Sequence, residues 1–204
     1  MSWQRPHPAL VLASASTARR AVLAAAGVVV EVCPAAIDEH EIRRSARAEG
    51  IGPEETALLL AELKAARVAR AWPDALVIGA DQLLVCNGRW FDKPATLAEA
   101  RTHLLALRGQ PHTLMTAVAC QRGNQRVWHH VARPLLTMRR FSDAFLDAYL
   151  EAEGAALLAC VGAYRLEGLG LQLFDSVSGE HAAILGLPLL PLLGFLRQHG
   201  VLLA

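Results

Sequence analysis

The segment 77–94, VIGADQLLVCNGRWFDKP, constrains the fold of this 204-residue chain more than any other. It begins as an apolar strand, and Asp81 is expected at the carboxyl end of that strand, where open α/β sheets bind ligands. The Asn87-Gly88 pair is typical of a hairpin turn. We therefore expect the chain to reverse there and to bring Lys93 back beside the strand that carries Asp81.

Each feature of this segment also has a purely structural interpretation. Asp81 could be a turn or cap residue, and Lys93 could be a solvated surface lysine. Gly79 and Ala80 leave room for close approach to the strand. The rest of the chain has to decide between a ligand site and an ordinary turn.

Composition limits the partners of the chain. Twenty Lys and Arg residues stand against 19 Asp and Glu residues, for a net charge of +1, so no global field favours nucleic acid or an anionic membrane. The cysteines are far apart and lack the spacing of a zinc site, which favours reduced thiols in a cytosolic protein. They are Cys33, Cys86, Cys120 and Cys160.

The apolar runs predict a protein without a signal peptide or a membrane span. The amino-terminal apolar run is too short for a signal peptide. The most apolar run, residues 182–196, is shorter than a bilayer requires and contains Pro188 and Pro191. We expect this run to form a buried strand that leads into a core helix.

The order of the elements predicts an α/β fold with a mixed sheet flanked by helices. Helix signals include Pro53 as a first residue, a capping box of Thr96 and Glu99, and Ser142 as an N-cap. Helices are expected at 18–27, 53–71, 96–109, 142–154 and 188–199. Strands are expected at 9–13, 28–32, 113–120, 126–138 and 171–177. The charged segment 34–52 is expected to be irregular.

Several polar side chains follow the first predicted strand, where it leads into the first helix. Free amides, hydroxyls and two guanidinium groups at a helix amino-terminus bind phosphate readily. The alternative is that a hydroxyl merely caps the helix while the arginines coat its surface. No P-loop motif is present. The residues are Ser14, Ser16, Thr17, Arg19 and Arg20.

Three further charged residues have both a functional and a structural interpretation. Lys64 lies on an apolar helix face, so it either meets a buried anion or extends along the surface to water. Glu39 is either a solvated charge or, with Asp81, part of an oxygen shell for magnesium. Glu167, in YRLEGLG, lies between glycines that suit either a loop close to a ligand or an ordinary turn.

An ordered set of segments resembles the Maf family of nucleoside triphosphate pyrophosphatases over nearly the whole length of the chain. The set is specific because its members occur in the family's order, although each is weak alone. The segments are LVLASASTARRAVLAAAGV, AAIDE, LAELKAARVA, VIGADQLLV with DKP, VGAYRLEGLG and LGLPL.

The resemblance implies a single Maf-like domain over 1–204, with the elongated Maf/ITPase-like mixed sheet and two lobes around a central cleft. It also implies a divalent cation (Mg, Mn or Co), a cytoplasmic location, a homodimer, and a nucleoside triphosphate as partner. Hydrolysis would release a nucleoside monophosphate and pyrophosphate. Asp81 would accept a proton, and Glu39 with Asp81 would hold the metal. The residues around the triphosphate would be Ser14, Arg19, Arg20, Lys64 and Lys93.

Two positions are similar to the 7-methyl-GTP subgroup of the family, namely Gln82 and Glu167, where the dTTP and UTP subgroup usually has Thr and Gln. Methylated guanine is cationic, and a carboxylate such as Glu167 can complement its charge. The chain departs from the family pattern at Thr17, at Ala18, where the 7-methyl-GTP subgroup tends to have Trp, and at Asp92.

We therefore expect a housecleaning enzyme that prefers 7-methyl-GTP. The alternatives are a dTTP/UTP or broader noncanonical nucleotide pyrophosphatase, which Ala18 would permit, and a nucleotide-binding regulator of septum formation without catalysis.

Overall fold

Apolar strands and capped helices build a mixed α/β structure in residues 3–203, the part of the chain that the computed structural model describes. This part contains eight strands and seven α-helices. The strands are β1 (Leu10–Leu12), β2 (Glu31–Val32), β3 (Leu76–Cys86), β4 (Arg89–Phe91), β5 (Pro111–Arg122), β6 (Gln125–Ala132), β7 (Leu135–Met138) and β8 (Phe174–Ser178). The helices are α1 (Thr17–Ala25), α2 (Glu39–Ala48), α3 (Pro53–Ala69), α4 (Leu97–Leu107), α5 (Asp143–Glu153), α6 (His181–Ile184) and α7 (Leu189–Gln198).

The strands form one mixed sheet, which confirms the predicted fold class. The order along the sheet is β2-β1-β3-β5-β7-β8, with β4 on β3 and β6 on β5. β1 pairs in parallel with β2 and β3. The β3–β4, β5–β6, β5–β7 and β7–β8 pairs are antiparallel.

The chain divides into two compact units, and one of the boundaries falls inside β3 between Asp81 and Gln82. Of the described residues, 3–81, 116–132 and 180–203 form the first unit, and 82–115 with 133–179 form the second. A single functional domain with two lobes around a cleft stays a prediction.

The core of the first unit covers both faces of β1. Leu10 and Leu12 belong to an apolar cluster that includes Leu23 of α1. Val11 and Ala13, on the opposite face, pack in a second cluster with residues of α3. Because successive strand residues point to opposite faces, a short strand of this kind is buried only between two layers.

Gly79 sets the contact between β3 and α3. A Cβ atom at this position would collide with the carbonyl oxygen of Ala61 and lie 2.8 Å from the backbone nitrogen of Ala65. Only glycine allows backbone to approach backbone this closely. The predicted room for close approach is therefore used by the helix that carries Lys64.

The second unit contains the predicted hairpin and capped helices. Asn87 and Gly88 have φ of 50° and 76°, the positive values that a two-residue hairpin turn requires. Thr96 Oγ1 accepts from Glu99 N at 3.1 Å, and Glu99 Oε2 accepts from Ala95 N at 2.8 Å. Ser142 Oγ accepts from Phe145 N at 3.2 Å at the start of α5. These confirm the turn and cap predictions.

Two secondary-structure predictions are wrong. Residues 34–52 are not irregular, because Asp38 caps α2 by accepting from Glu41 N at 3.0 Å. Residues 182–196 contain no strand; their apolar side chains lie on α6 and α7, which pack against the core of the first unit. Two sharp breaks, at Gly186 and Pro188, separate these helices.

Three predicted strand boundaries also change. β2 is only two residues long, because the Gln4 side chain bonds both the N and O atoms of Val29, at 2.8 and 2.9 Å. The run 126–138 is two strands, β6 and β7, since Pro134 lies between them and cannot donate to a ladder. The last strand begins at Phe174, because 169–173 is a 3₁₀-helix.

Residues 3–203 include no helix that is both long and apolar enough to cross a membrane. The four cysteines, all in this range, are free; Cys86 and Cys120 are buried, and Cys33 and Cys160 are half-buried.

Candidate functional site

The turn between β1 and α1 holds its polar side chains in fixed positions. Ser16, rather than Thr17, caps α1 and accepts from Arg19 N at 3.3 Å. Ser14 Oγ accepts from Arg19 Nη1 at 3.0 Å and from Ser16 N at 3.3 Å. Arg20 is the next residue along α1 and is exposed. The capping and phosphate-binding interpretations of this turn are thus compatible.

Arg19 is anchored from two sides. Besides its bond to Ser14, its Nε donates to the carbonyl oxygen of Gly186 at 2.8 Å, which links α1 to the loop after α6. Burial lowers the pKa of Arg19 from its ordinary value, while the charges of Asp81 and Glu39 oppose that shift. The guanidinium therefore lies in the field of both carboxylates.

Lys64 ends in a buried ion pair. It is 5% exposed, and its Nζ lies 2.6 Å from Asp81 Oδ1 and 2.8 Å from Glu39 Oε1. The alternative in which its ammonium reaches the surface is therefore wrong. A buried lysine needs such partners because an uncompensated charge in the interior is costly.

Asp81 lies in the middle of β3, not at the end of the strand as predicted. β3 continues to Cys86 because β4 pairs with its last residues. Asp81 is 2% exposed, and Arg43 Nη2 lies 3.2 Å from its Oδ2 and 3.4 Å from its Oδ1. The same nitrogen lies 3.1 Å from Glu39 Oε2.

Glu39, Arg43, Lys64 and Asp81 thus form a cluster of alternating charge, which we call the charge cluster. Each carboxylate contacts both cations. Its formal charge is zero. Each of the four charged groups thus has partners of opposite charge, which offset the cost of burying it.

Sequence reasoning missed Arg43. Arg43 is 8% exposed and lies one turn after Glu39 on α2, so both side chains lie on the face of α2 that meets the charge cluster. The signal that could have found it is Asp38 followed three residues later by Glu41, a helix-start pattern. Once α2 is recognised, the spacing of Glu39 and Arg43 follows.

The charge cluster contains two carboxylates, the kind of ligand that a divalent cation takes. Within residues 3–203, no group of three or more His, Cys, Asp or Glu side chains could hold a metal. Two carboxylates nevertheless suffice for magnesium, which commonly takes one or two of them together with water and substrate phosphate. Glu39 and Asp81 share two cationic partners and are the residues that would hold such an ion, which stays a prediction.

The remaining predicted residues are placed as follows. Ala18 is half-buried in the first turn of α1, in the first unit. Gln82, Lys93 and Glu167 belong to the second unit, so their participation in the site stays a prediction. Lys93 is exposed two residues after β4, and the neighbouring Asp92 is half-buried.

Glu167 is part of a small ionic group in the second unit. Arg165 Nε lies 3.3 Å from Glu167 Oε1, and Arg165 Nη1 lies 3.0 Å from Glu153 Oε2. Glu153 also accepts from Leu169 N at 2.9 Å, which fixes the loop between Glu167 and the following 3₁₀-helix. Two carboxylates around one guanidinium leave this group with a negative charge.

Comparison with known proteins identifies the family of this chain. The family model described as Maf-like protein matches residues 9–199. The chain belongs to the Maf family. This Maf protein is 58% identical to a nucleoside triphosphate pyrophosphatase of Granulibacter bethesdensis, over 95% of this chain and 98% of the relative. It is 53% identical to one of Rhodospirillum rubrum, over 97% and 98%. It is 46% identical to a 7-methyl-GTP pyrophosphatase of Rhizobium meliloti, over 96% and 98%.

Proposed function

We propose that this Maf protein hydrolyses 7-methyl-GTP to the nucleoside monophosphate and pyrophosphate. At the coarser level it is a nucleoside triphosphate pyrophosphatase, as are its relatives at 58% and 53% identity by their names. The observation that carries the chemistry is the buried charge cluster, in which Asp81 contacts both Lys64 and Arg43.

The first unit supplies groups that can bind the triphosphate and groups that can stabilise the leaving pyrophosphate. Ser14, Arg19 and Arg20, at the amino-terminus of α1, present the hydroxyl, guanidinium groups and amides that bind phosphate. Lys64 adds a cation that can neutralise charge on the leaving pyrophosphate. This residue set favours attack by water without a covalent intermediate.

Asp81 is the proton acceptor in this proposal. Its Oδ1 accepts from both Lys64 and Arg43, whereas its Oδ2 accepts from Arg43. A carboxylate oxygen has two lone pairs, so Oδ2 retains capacity for the proton of an attacking water. A rigid strand position keeps that oxygen in one place.

Glu39 and Asp81 are the residues that would hold a divalent cation. When bound, such an ion would make a water more acidic and neutralise charge on the triphosphate. The metal, a homodimer and a cytoplasmic location stay predictions from the family resemblance.

In this proposal, Glu167 selects the nucleobase of the substrate. The group of Glu153, Arg165 and Glu167 has a formal charge of −1, and a negative group complements the cationic ring of 7-methylguanine. The name of the relative at 46% identity supports the same substrate. The absence of Trp at Ala18 weakens base stacking and favours a second candidate, a broader noncanonical nucleotide pyrophosphatase.

A nucleotide panel tests these proposals. Pyrophosphate release from 7-methyl-GTP, GTP, dTTP and UTP is measured with magnesium, for the wild type and Asp81→Asn in parallel. A clear preference for 7-methyl-GTP supports the first proposal, and similar kcat/KM values on all substrates support the second. Binding without release by the wild type would instead favour the non-catalytic regulator.

A further inference from the structure

Arg43 takes no part in the proposed reaction, yet it contacts both carboxylates that would hold a divalent cation. Its Nη2 atom lies 3.1 Å from Glu39 Oε2 and 3.2 Å from Asp81 Oδ2. Lys64 covers the other oxygens, Glu39 Oε1 and Asp81 Oδ1. Every carboxylate oxygen of the pair thus already contacts a cation.

We infer that Arg43 is a positioning residue that holds Glu39 and Asp81 together in the substrate-free protein and competes with a divalent cation for their oxygens. This inference rests on the proposed function for its purpose, since the reaction requires those oxygens for the ion. Arg43 would give up its contacts as the ion binds, and the carboxylates would already be aligned.

Arg43, rather than Lys64, is the cation that yields. The Lys64 contacts measure 2.6 and 2.8 Å, whereas those of Arg43 measure 3.1, 3.2 and 3.4 Å. Shorter charge-assisted contacts are the stronger ones. Lys64 also projects from α3, whose backbone is fixed against β3 at Gly79.

The competition has a consequence for metal affinity. Removing the Arg43 charge leaves Glu39, Asp81 and Lys64 with a net charge of −1, at a site where Asp81 and Lys64 are buried and Glu39 is half-buried. A divalent cation then meets one repulsive charge fewer and displaces no guanidinium. A merely structural role predicts the opposite result, because a disordered pair of carboxylates binds metal less well.

The test measures Mn²⁺ binding to the substrate-free protein from the loss of the electron paramagnetic resonance signal of free Mn²⁺. Arg43→Gln should bind Mn²⁺ more tightly than the wild type, on the order of tenfold. Arg43→Lys keeps the charge and should remain near the wild type. Unchanged or weaker binding by Arg43→Gln would overturn the inference.

Arg44→Gln is the matched control. Arg44 lies on the same helix and carries the same charge, but it is exposed and pairs with Glu41 at 2.8 Å. Its removal should change Mn²⁺ affinity by less than about twofold, because exposed charges are screened. An equal gain in Arg44→Gln would show a general charge effect and would also overturn the inference.

A second measurement covers the case in which Arg43→Gln does not fold. In the wild type, the ¹H–¹⁵N signal of Arg43 Nε, assigned by its loss in Arg43→Lys, should shift as Mg²⁺ is added to saturation. The Arg44 signal should stay fixed. An immobile Arg43 signal at saturating Mg²⁺ would contradict the inference. Failure of pyrophosphate release would contradict the proposed function alone, since neither measurement uses turnover.

Discussion

Lys64 Nζ lies 2.6 Å from Asp81 Oδ1, and both residues are almost completely buried. One belongs to α3 and the other to β3, and the two elements touch backbone to backbone at Gly79. Lys64 and Asp81 are therefore positioned by regular secondary structure rather than by loops. Rigid elements hold catalytic geometry more accurately than loops do.

Asp81→Asn should reduce kcat by about a hundredfold or more, because the amide cannot accept the proton. It should also lower stability by a few kcal/mol, since two buried cations lose a counter-charge. Steady-state pyrophosphate release and urea unfolding measure the two effects. Asp74→Asn, an exposed change in the same unit, is the control and should leave both unchanged. Full activity in Asp81→Asn would remove Asp81 as the base.

Gly79→Ala should destabilise the protein by several kcal/mol, because its Cβ atom would collide with the backbone of α3. Lys64 would shift with the helix, so activity should fall as well. Gly194→Ala is a suitable control: it lies in α7 with no atom within 4 Å of the added Cβ, and alanine there should stabilise the helix by about 0.5–1 kcal/mol. Thermal unfolding curves of both variants check the opposite signs.

Gly186→Ala should weaken substrate binding through Arg19. Gly186 has φ of +102°, and a Cβ atom there would lie 3.2 Å from Arg19 Nε. We expect KM to rise several-fold while kcat changes less, together with about 1–3 kcal/mol of backbone strain. Gly27→Ala, at φ of +71° with open space around its Cβ, carries similar strain without touching Arg19. A rise of KM in both variants would contradict the proposed role of the Arg19 anchor.

Acid should destabilise the protein partly through His112. Burial lowers the pKa of His112 to about 4, although a hydrogen bond with the backbone of Gln110 opposes the shift. In the unfolded chain the pKa of His112 is near 6.5, so between pH 6.5 and 4 its imidazole binds a proton in the unfolded state but not in the folded state. Stability is therefore fully present above pH 6.5 and is lost as pH falls towards 4, by about 2 kcal/mol between pH 7 and 5.

Urea unfolding at both pH values checks this effect. His112→Phe should lack this part of the pH dependence, and the exposed His129→Gln should retain it. An identical pH dependence in His112→Phe and the wild type would contradict the assignment.

Local signals predicted the elements that depend on local chemistry. The Asn87-Gly88 turn and the caps at Thr96 and Ser142 are specified by residues within one turn of each other, and the structure contains all three. The position of Asp81 was not accessible in this way. The length of β3 depends on its pairing with β4, which local sequence signals do not specify.

Helix α2 shows why the cluster was only partly predicted. Its buried residues are Arg43 and Ala46, so it lacks the apolar stripe by which helices are usually recognised. The Asp38 cap and ion pairs such as Arg44 with Glu41 mark it instead. When the inner face of a helix is charged, its sequence resembles that of an exposed loop, and the buried charges that it pairs with have to be known before it is recognised.

Glu167→Gln tests whether Glu167 selects the nucleobase of the substrate. The substitution keeps the shape of the side chain and removes one negative charge from the group formed with Glu153 and Arg165, which then becomes neutral. If this charge recognises the cationic ring, kcat/KM for 7-methyl-GTP should fall by about tenfold, the value of one charge-assisted contact, while that for GTP changes little. Glu151→Gln, an exposed change on α5 in the same unit, is the control. An equal fall for GTP and 7-methyl-GTP would show that Glu167 positions the loop rather than reading the methylated base, and would shift the assignment to a broader pyrophosphatase.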